Sequence, residues 1–195
     1  GAAGSPVASA SMAASDPATG MARRATVVGI GLMGGSIGMA LRARGWHVSG
    51  VDLDEATLAT AVDMGALDRA GWDADAEVTF VATPVGHLAT AVTEALAAAP
   101  AGLVTDVGSV KAPVVETVAD PRYIGGHPMA GSEQEGVHGA DPEMFVNATW
   151  VLTPTEATDG AALARVRSVV ASLGAEIITL PPDRHDSLVA IVSHV

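Results

Sequence analysis

Three clusters of residues have the types and spacing to do chemistry. The first is Gly29-Ile30-Gly31-Leu32-Met33-Gly34-Gly35, a GxGxxG pattern that follows an aliphatic run and opens a helical one. In that context Gly29 permits a tight turn, Gly31 lets the backbone approach a pyrophosphate, and Gly34 lets the helix pack close to the strand. The second is DVGSVK (106–111), where Ser109 and Lys111 follow another aliphatic run. Ser109 reads either as a helix N-cap, with Asp106 ending the strand, or as a hydroxyl that touches a nicotinamide or orients a base. The third is IGGHPMAGSEQEG (124–136). Pro128 biases His127 towards extended backbone, and Gly125 and Gly126 let the chain pass close to a ligand. An imidazole titrates near neutrality, so His127 suits a base that accepts a hydroxyl proton as hydride leaves, worth about 10²–10⁴-fold.

The cofactor implied is NAD. Asp52 ends the second aliphatic run, 18 residues after Gly34. A carboxylate there accepts from both ribose hydroxyls and repels a 2′-phosphate, and Leu53, Asp54 and Glu55 supply no arginine to receive one. Thr83 and Pro84 close a further strand on the same side. The other histidines carry weaker signals. His47 begins a strand, His87 sits in a first helical turn, and His138 lies in a polar loop. His185 and His194 are nine residues apart, on opposite faces of one straight helix, so no metal pair is expected. His194 alone stays ambiguous.

These residues need a frame that brings them together. Strand-like ATVVGIG (25–31), HVSGVD (47–52), EVTFVATP (77–84), GLVTDVGS (102–109), YIGGHP (123–128), TWVLTP (149–154) and AEIITL (175–180) alternate with helical stretches. Those stretches cover 33–45, 54–65, about 86–98, Ser109 towards Val118, and about 159–173. The alternation predicts a doubly wound, Rossmann-type α/β fold: a mostly parallel sheet with helices on both faces and its ligand beyond the strands' carboxyl ends. The glycine loop, Asp52, Thr83, Pro84, Ser109 and His127 all fall at such ends. Residues 1–22 read as a flexible tag or N-terminal extension, 23–181 as the nucleotide-binding domain, and 182–195 as the first turns of a helical domain cut short at Val195.

Bulk composition narrows the function classes. The 195 residues are 49% hydrophobic and 16% charged, enough for a substantial core. A net charge of −12 with no Lys/Arg-rich run argues against nucleic acid. The absence of cysteine excludes disulfides and thiolate metal sites and fits a reducing cytoplasm. No apolar run reaches membrane-spanning length, and no signal peptide is recognisable, so a cytoplasmic protein is expected.

With these motifs in hand, the chain resembles the prephenate dehydrogenase family, arogenate dehydrogenases included. GIGLMGGSIG, DVGSVK, GGHPMAGSEQEG, WVLTP and HDSLVAIVSHV occur in that family's order and spacing, across residues 25–195. The resemblance implies NAD-dependent oxidative decarboxylation of prephenate to 4-hydroxyphenylpyruvate, in tyrosine biosynthesis, by a homodimer with an all-helical dimerisation domain. It implies that His127 takes the proton of the ring 4-hydroxyl and that Ser109 holds histidine, hydroxyl and nicotinamide in register. Glu133 becomes a carboxylate at the site entrance, His194 a substrate-side histidine, and Ser132 a loop residue. The family's carboxylate-gripping arginine lies beyond residue 195; Arg122, Arg165, Arg167 and Arg184 do not match it. Little or no turnover is therefore expected of this chain alone. Prephenate, arogenate and amino-substituted analogues stay open as substrates. The rivals are a β-hydroxyacid dehydrogenase and a nucleotide-binding module that senses without catalysing.

Overall fold

A computed structural model describes residues 20–192, so the expectations for residues 1–19 and for His194 lie outside the described residues. The aliphatic runs become strands, and the central ones, ATVV, VTFV and LVTD, are buried on both faces. They are β1 (Arg24–Val28), β2 (His47–Val51), β3 (Arg69–Ala70), β4 (Val78–Val81), β5 (Leu103–Asp106), β6 (Tyr123–Met129), β7 (Thr149–Thr153) and β8 (Glu176–Thr179). Between them run α1 (Leu32–Arg42), α2 (Glu55–Asp63), α3 (Leu88–Ala98), α4 (Ala112–Thr117), α5 (Gly160–Ser172) and α6 (Pro182–Val192). The strands form one sheet in the order β3-β2-β1-β4-β5-β6-β7-β8. Pairing is parallel from β3 through to β6, antiparallel between β6 and β7, and parallel again between β7 and β8. Strand order reverses between β1 and β4, which is where a doubly wound sheet opens a ligand crevice.

Each face of the sheet carries its own apolar layer. Ile37 and Leu41 of α1, Ala61 of α2 and Val166 and Val170 of α5 pack with Val27, Phe80 and Trp150. Leu88, Val92 and Leu96 of α3 and Val114 of α4 pack with Val28, Val81 and Val104 on the other side. The doubly wound expectation is met. Acidic caps fix two helix starts: Asp54 accepts from the Ala56 N–H at 3.0 Å and Asp159 from the Ala162 N–H at 2.8 Å. Among the described residues no helix is long and apolar enough to cross a membrane.

Three local expectations change. Strand β3 is two residues long, too short to leave a periodic trace in sequence. Helix α4 begins at Ala112, so Ser109 is not its N-cap; that position falls to Lys111, which makes no side-chain cap bond. The cap comes instead from Asp186 of α6, whose carboxylate accepts the N–H groups of Lys111 at 2.9 Å and Ala112 at 2.8 Å. Finally, β6 runs one residue further than expected, to Met129, because β7 continues the pairing, with His127 opposite Val151.

Candidate active site

The nucleotide side is built by the β1–α1 turn. Gly29 has φ +85°, and a Cβ there would stand 2.7 Å from the Ala82 carbonyl oxygen, so no other residue is tolerated without strain. A Cβ on Gly34 would collide with the Gly29 carbonyl oxygen; its absence lets α1 start hard against the turn. Gly31, by contrast, faces open space, with nothing within 4 Å of its Cβ position. The N–H groups opening α1 thus have free approach for an anion, and no acidic residue sits in that first turn. Leu32 and Met33 turn towards protein: Leu32 approaches Gly139 in the connection after β6, and Met33 packs on the core.

Beside the turn, a cavity of about 290 Å³ is lined by Gly29, Asp52, Thr83, Pro84, His87 and Ala91, among others. Asp52 accepts from the Ile30 N–H at 2.7 Å and the Asp54 N–H at 2.9 Å, which fixes its carboxylate and leaves further lone pairs for ribose hydroxyls. The Thr83 hydroxyl is buried without a hydrogen-bond partner among the described residues. An orphan buried hydroxyl in a concave wall is what a polar ligand satisfies. These residues fit a dinucleotide.

Further along the same carboxyl edge, His127 belongs to a chain of polar side chains that runs from β6 into α6. Its Nδ1 lies 2.8 Å from Nε2 of His185, and His185 Nδ1 lies 2.7 Å from Oδ1 of Asp186. The two rings meet edge to face, 76° apart. Behind His127, Asp106 is fully buried and ion-paired to the equally buried Lys111. Asp106 also accepts from the Tyr123 hydroxyl at 2.9 Å, the Gly126 N–H at 3.1 Å and the Gly108 N–H at 2.8 Å. Burial lowers the Lys111 pKa against the opposing pull of Asp106. Burial and the Asp106 charge raise Tyr123, which stays a donor. Burial raises the Asp186 carboxyl less than the N–H groups of Ala112 and Lys111 and His185 lower it, so it ends below the usual carboxylate range.

His127 itself drops to about 4, mainly through burial and then through His185 and Lys111. It is a neutral imidazole at physiological pH, able to accept one proton.

The reading of Gly125 and Gly126 needs correcting. Their Cβ positions are filled by protein, not held open for a ligand. Gly125 faces Thr153 and, at 3.3 Å, the Lys111 stem; Gly126 faces the Asp106 carbonyl oxygen at 2.5 Å and Trp150 Nε1 at 3.0 Å. Gly125 makes room for the buried Lys111 stem, and Gly126 for the β5 backbone and Trp150. Ser109 and Glu133 are both exposed, and neither has a side-chain hydrogen bond among the described residues. Ser132 accepts the Gln134 N–H at 3.0 Å, a loop contact. Sequence reasoning passed over His185, Asp186 and Lys111. Their signals were present: an acid five residues before a lysine in DVGSVK, and a His-Asp pair in HDSLVAIVSHV.

A family model described as "Prephenate dehydrogenase, nucleotide-binding domain" matches residues 37–179. The chain belongs to the prephenate dehydrogenase family. The curated prephenate dehydrogenase of Bacillus subtilis is 32% identical over 185 residues, covering 86% of this chain and 49% of that protein. The crystal structure of Synechocystis arogenate dehydrogenase is 39% identical, with TM-score 0.80 over 88% of this chain and 64% of that one. That of prephenate dehydrogenase from Aquifex aeolicus, in complex with hydroxyphenyl propionate and NAD+, is 28% identical, with TM-score 0.83 over 89% and 65%. The chain spans about half the length of the curated relatives, as the 49% coverage shows. Family membership sets aside the β-hydroxyacid dehydrogenase alternative.

The lowered His127 pKa has a stability consequence. The folded chain binds the proton near pH 4 and the unfolded chain near 6.5, so the unfolded state holds more protons between those values. Stability therefore falls as pH drops from 6.5 towards 4. Urea midpoints measured across that range should decline for the native chain and decline less for His127→Gln.

Proposed function

We propose that this chain supplies the NAD-binding and proton-accepting half of a dehydrogenase that converts prephenate to 4-hydroxyphenylpyruvate with loss of CO₂. The observation that carries the reading is a neutral, half-buried His127 on the same sheet edge as the cleft lined by Gly29, Asp52, Thr83 and Pro84. Gly29, Gly31, Leu32, Met33, Gly34, Asp52, Thr83 and Pro84 would hold NAD, which would supply the hydride acceptor. His127 takes the hydroxyl proton, and expulsion of CO₂ aromatises the ring, so the protein's main task is positioning. Ser109, exposed after β5, is assigned to the nicotinamide side, and Glu133 to the entrance. Residues 23–181 form the nucleotide domain, and α6 opens a helical domain through which the protein forms a homodimer in the cytoplasm. His194, outside the described residues, is assigned to the substrate side.

The test is NADH formation on adding prephenate to the protein carrying the helical region of its relatives, with this chain alone expected to show little or no turnover. Arogenate is run in parallel, because the relative of 39% identity is an arogenate dehydrogenase. No NADH from either substrate would refute the reading. Titration calorimetry on the chain should find NAD bound more tightly than NADP. Asp52→Ser should narrow that ratio by about tenfold, about 1.4 kcal/mol, by removing the charge that repels a 2′-phosphate. An unchanged ratio would show that Asp52 does not read the ribose.

A further inference from the structure

We propose that His185 and Asp186 are positioning residues that hold His127 protonated on Nδ1, leaving Nε2 as the atom that accepts the proton. For its catalytic consequence this rests on the dehydrogenase reading; the protonation pattern itself does not.

The argument begins at the charged end. An ionised carboxylate offers only acceptors, and Asp186 is anchored as one by two backbone donors, Lys111 N and Ala112 N. At 2.7 Å from its Oδ1, His185 Nδ1 must therefore carry a hydrogen. A neutral imidazole with N–H at Nδ1 has a lone pair at Nε2. His185 is 1% exposed, and a second proton would place an imidazolium in the interior. With Nε2 of His185 as acceptor, the 2.8 Å contact requires the hydrogen to sit on Nδ1 of His127. The remaining ring nitrogen, Nε2, has no hydrogen-bond partner among the described residues. The direction of every hydrogen bond is set from Asp186 outward.

The same contacts couple elements. Asp186 caps α4 and orients His185 at once, so the position of α6 decides whether His127 presents its accepting nitrogen. The neighbouring ions do not compete for this role. Lys111 Nζ and Asp106 are committed to each other, and Tyr123 and Gly126 donate to Asp106 and not to the imidazoles.

Long-range ¹H–¹⁵N NMR on the histidine-labelled chain at neutral pH reads the pattern directly. The expected result is a protonated Nδ1 and an unprotonated Nε2 on both His127 and His185. A proton on His127 Nε2, or on both nitrogens of His185, overturns the proposal. His185→Leu should release His127 into exchange between its two protonation patterns. His185→Gln, whose amide oxygen can stand at the Nε2 place, should restore much of the native pattern; His127 unchanged in the leucine variant would also overturn it. If the leucine variant does not fold, the native spectrum decides. In the whole enzyme His185→Leu should lower kcat by about 10–100-fold with KM for substrate little changed, as when the partner that orients a functional histidine is removed. The two readings fail separately. Full turnover in His127→Asn beside the expected native spectrum removes the catalytic role and leaves the relay. Lost turnover in His127→Asn beside a proton on His127 Nε2 removes the relay and leaves the dehydrogenase.

Discussion

His127→Asn in the whole enzyme should lower turnover by about 10²–10⁴-fold, the range expected when a positioned general base is lost. Asparagine keeps a polar group near the Nδ1 place, so His185 retains a partner, but it cannot take up a proton. The low pKa of His127, about 4, does not disqualify it. As hydride leaves the carbinol carbon, the hydroxyl becomes a protonated carbonyl, a strong acid, and a weakly basic imidazole suffices to receive its proton. An imidazole with that pKa is also uncharged across the whole neutral range, so the limb of kcat/KM that reports the free enzyme's His127 should stay flat on acidification until pH approaches about 4. NAD binding should survive, because residue 127 does not line the cavity formed by Gly29, Asp52, Thr83 and Pro84. The check is kcat measured beside the NAD dissociation constant. Wild-type turnover in the variant would end the assignment of His127 as proton acceptor. Lost NAD binding would show instead that the substitution disturbed the fold.

How much of this was legible in sequence depends on the range of the interactions. The doubly wound sheet was, because strands buried on both faces must be written as unbroken aliphatic runs, as in VTFV of β4 and LVTD of β5. The glycine turn was legible too, since Gly34 answers to the Gly29 carbonyl five residues before it and Gly29 to its own positive φ, although the Ala82 carbonyl that crowds Gly29 is distant in sequence. What escaped was set by contacts distant in sequence. His185 meets His127 across 58 residues, and Asp186 caps α4 across about 75. Periodicity along α6 could only show His185 as one polar residue among several. The glycine pair of IGGHP misled for a related reason: a missing side chain looks the same in sequence whether a ligand or a lysine stem fills the space. Lys111 reads in sequence as a residue just past a strand with no role of its own, and is among the largest fully buried side chains.

That burial makes Asp106→Ala a strongly destabilising change, expected at about 3–5 kcal/mol, the cost of leaving a buried charge without its counter-ion. The variant strips Lys111 of its only ion-pair partner among the described residues and removes the acceptor for Tyr123, Gly126 and Gly108 together. Against a total stability of about 5–15 kcal/mol, the urea midpoint should fall by a large fraction. Lys111→Met should cost less, because Asp106 keeps three neutral donors and methionine refills much of the space under Gly125. The double variant should therefore be less destabilised than the sum of the two single ones, since each leaves behind the charge that the other removes. Equal single costs with strict additivity would mean that the two groups do not act as a pair. The effect also reaches the site. The Gly126 N–H that bonds Asp106 immediately precedes His127, so losing the carboxylate frees the strand segment that carries the imidazole. Asp106→Ala should then weaken turnover in the whole enzyme even at temperatures where the fold persists, whereas a core cavity of similar cost, such as Leu41→Ala under α1, should leave it unchanged.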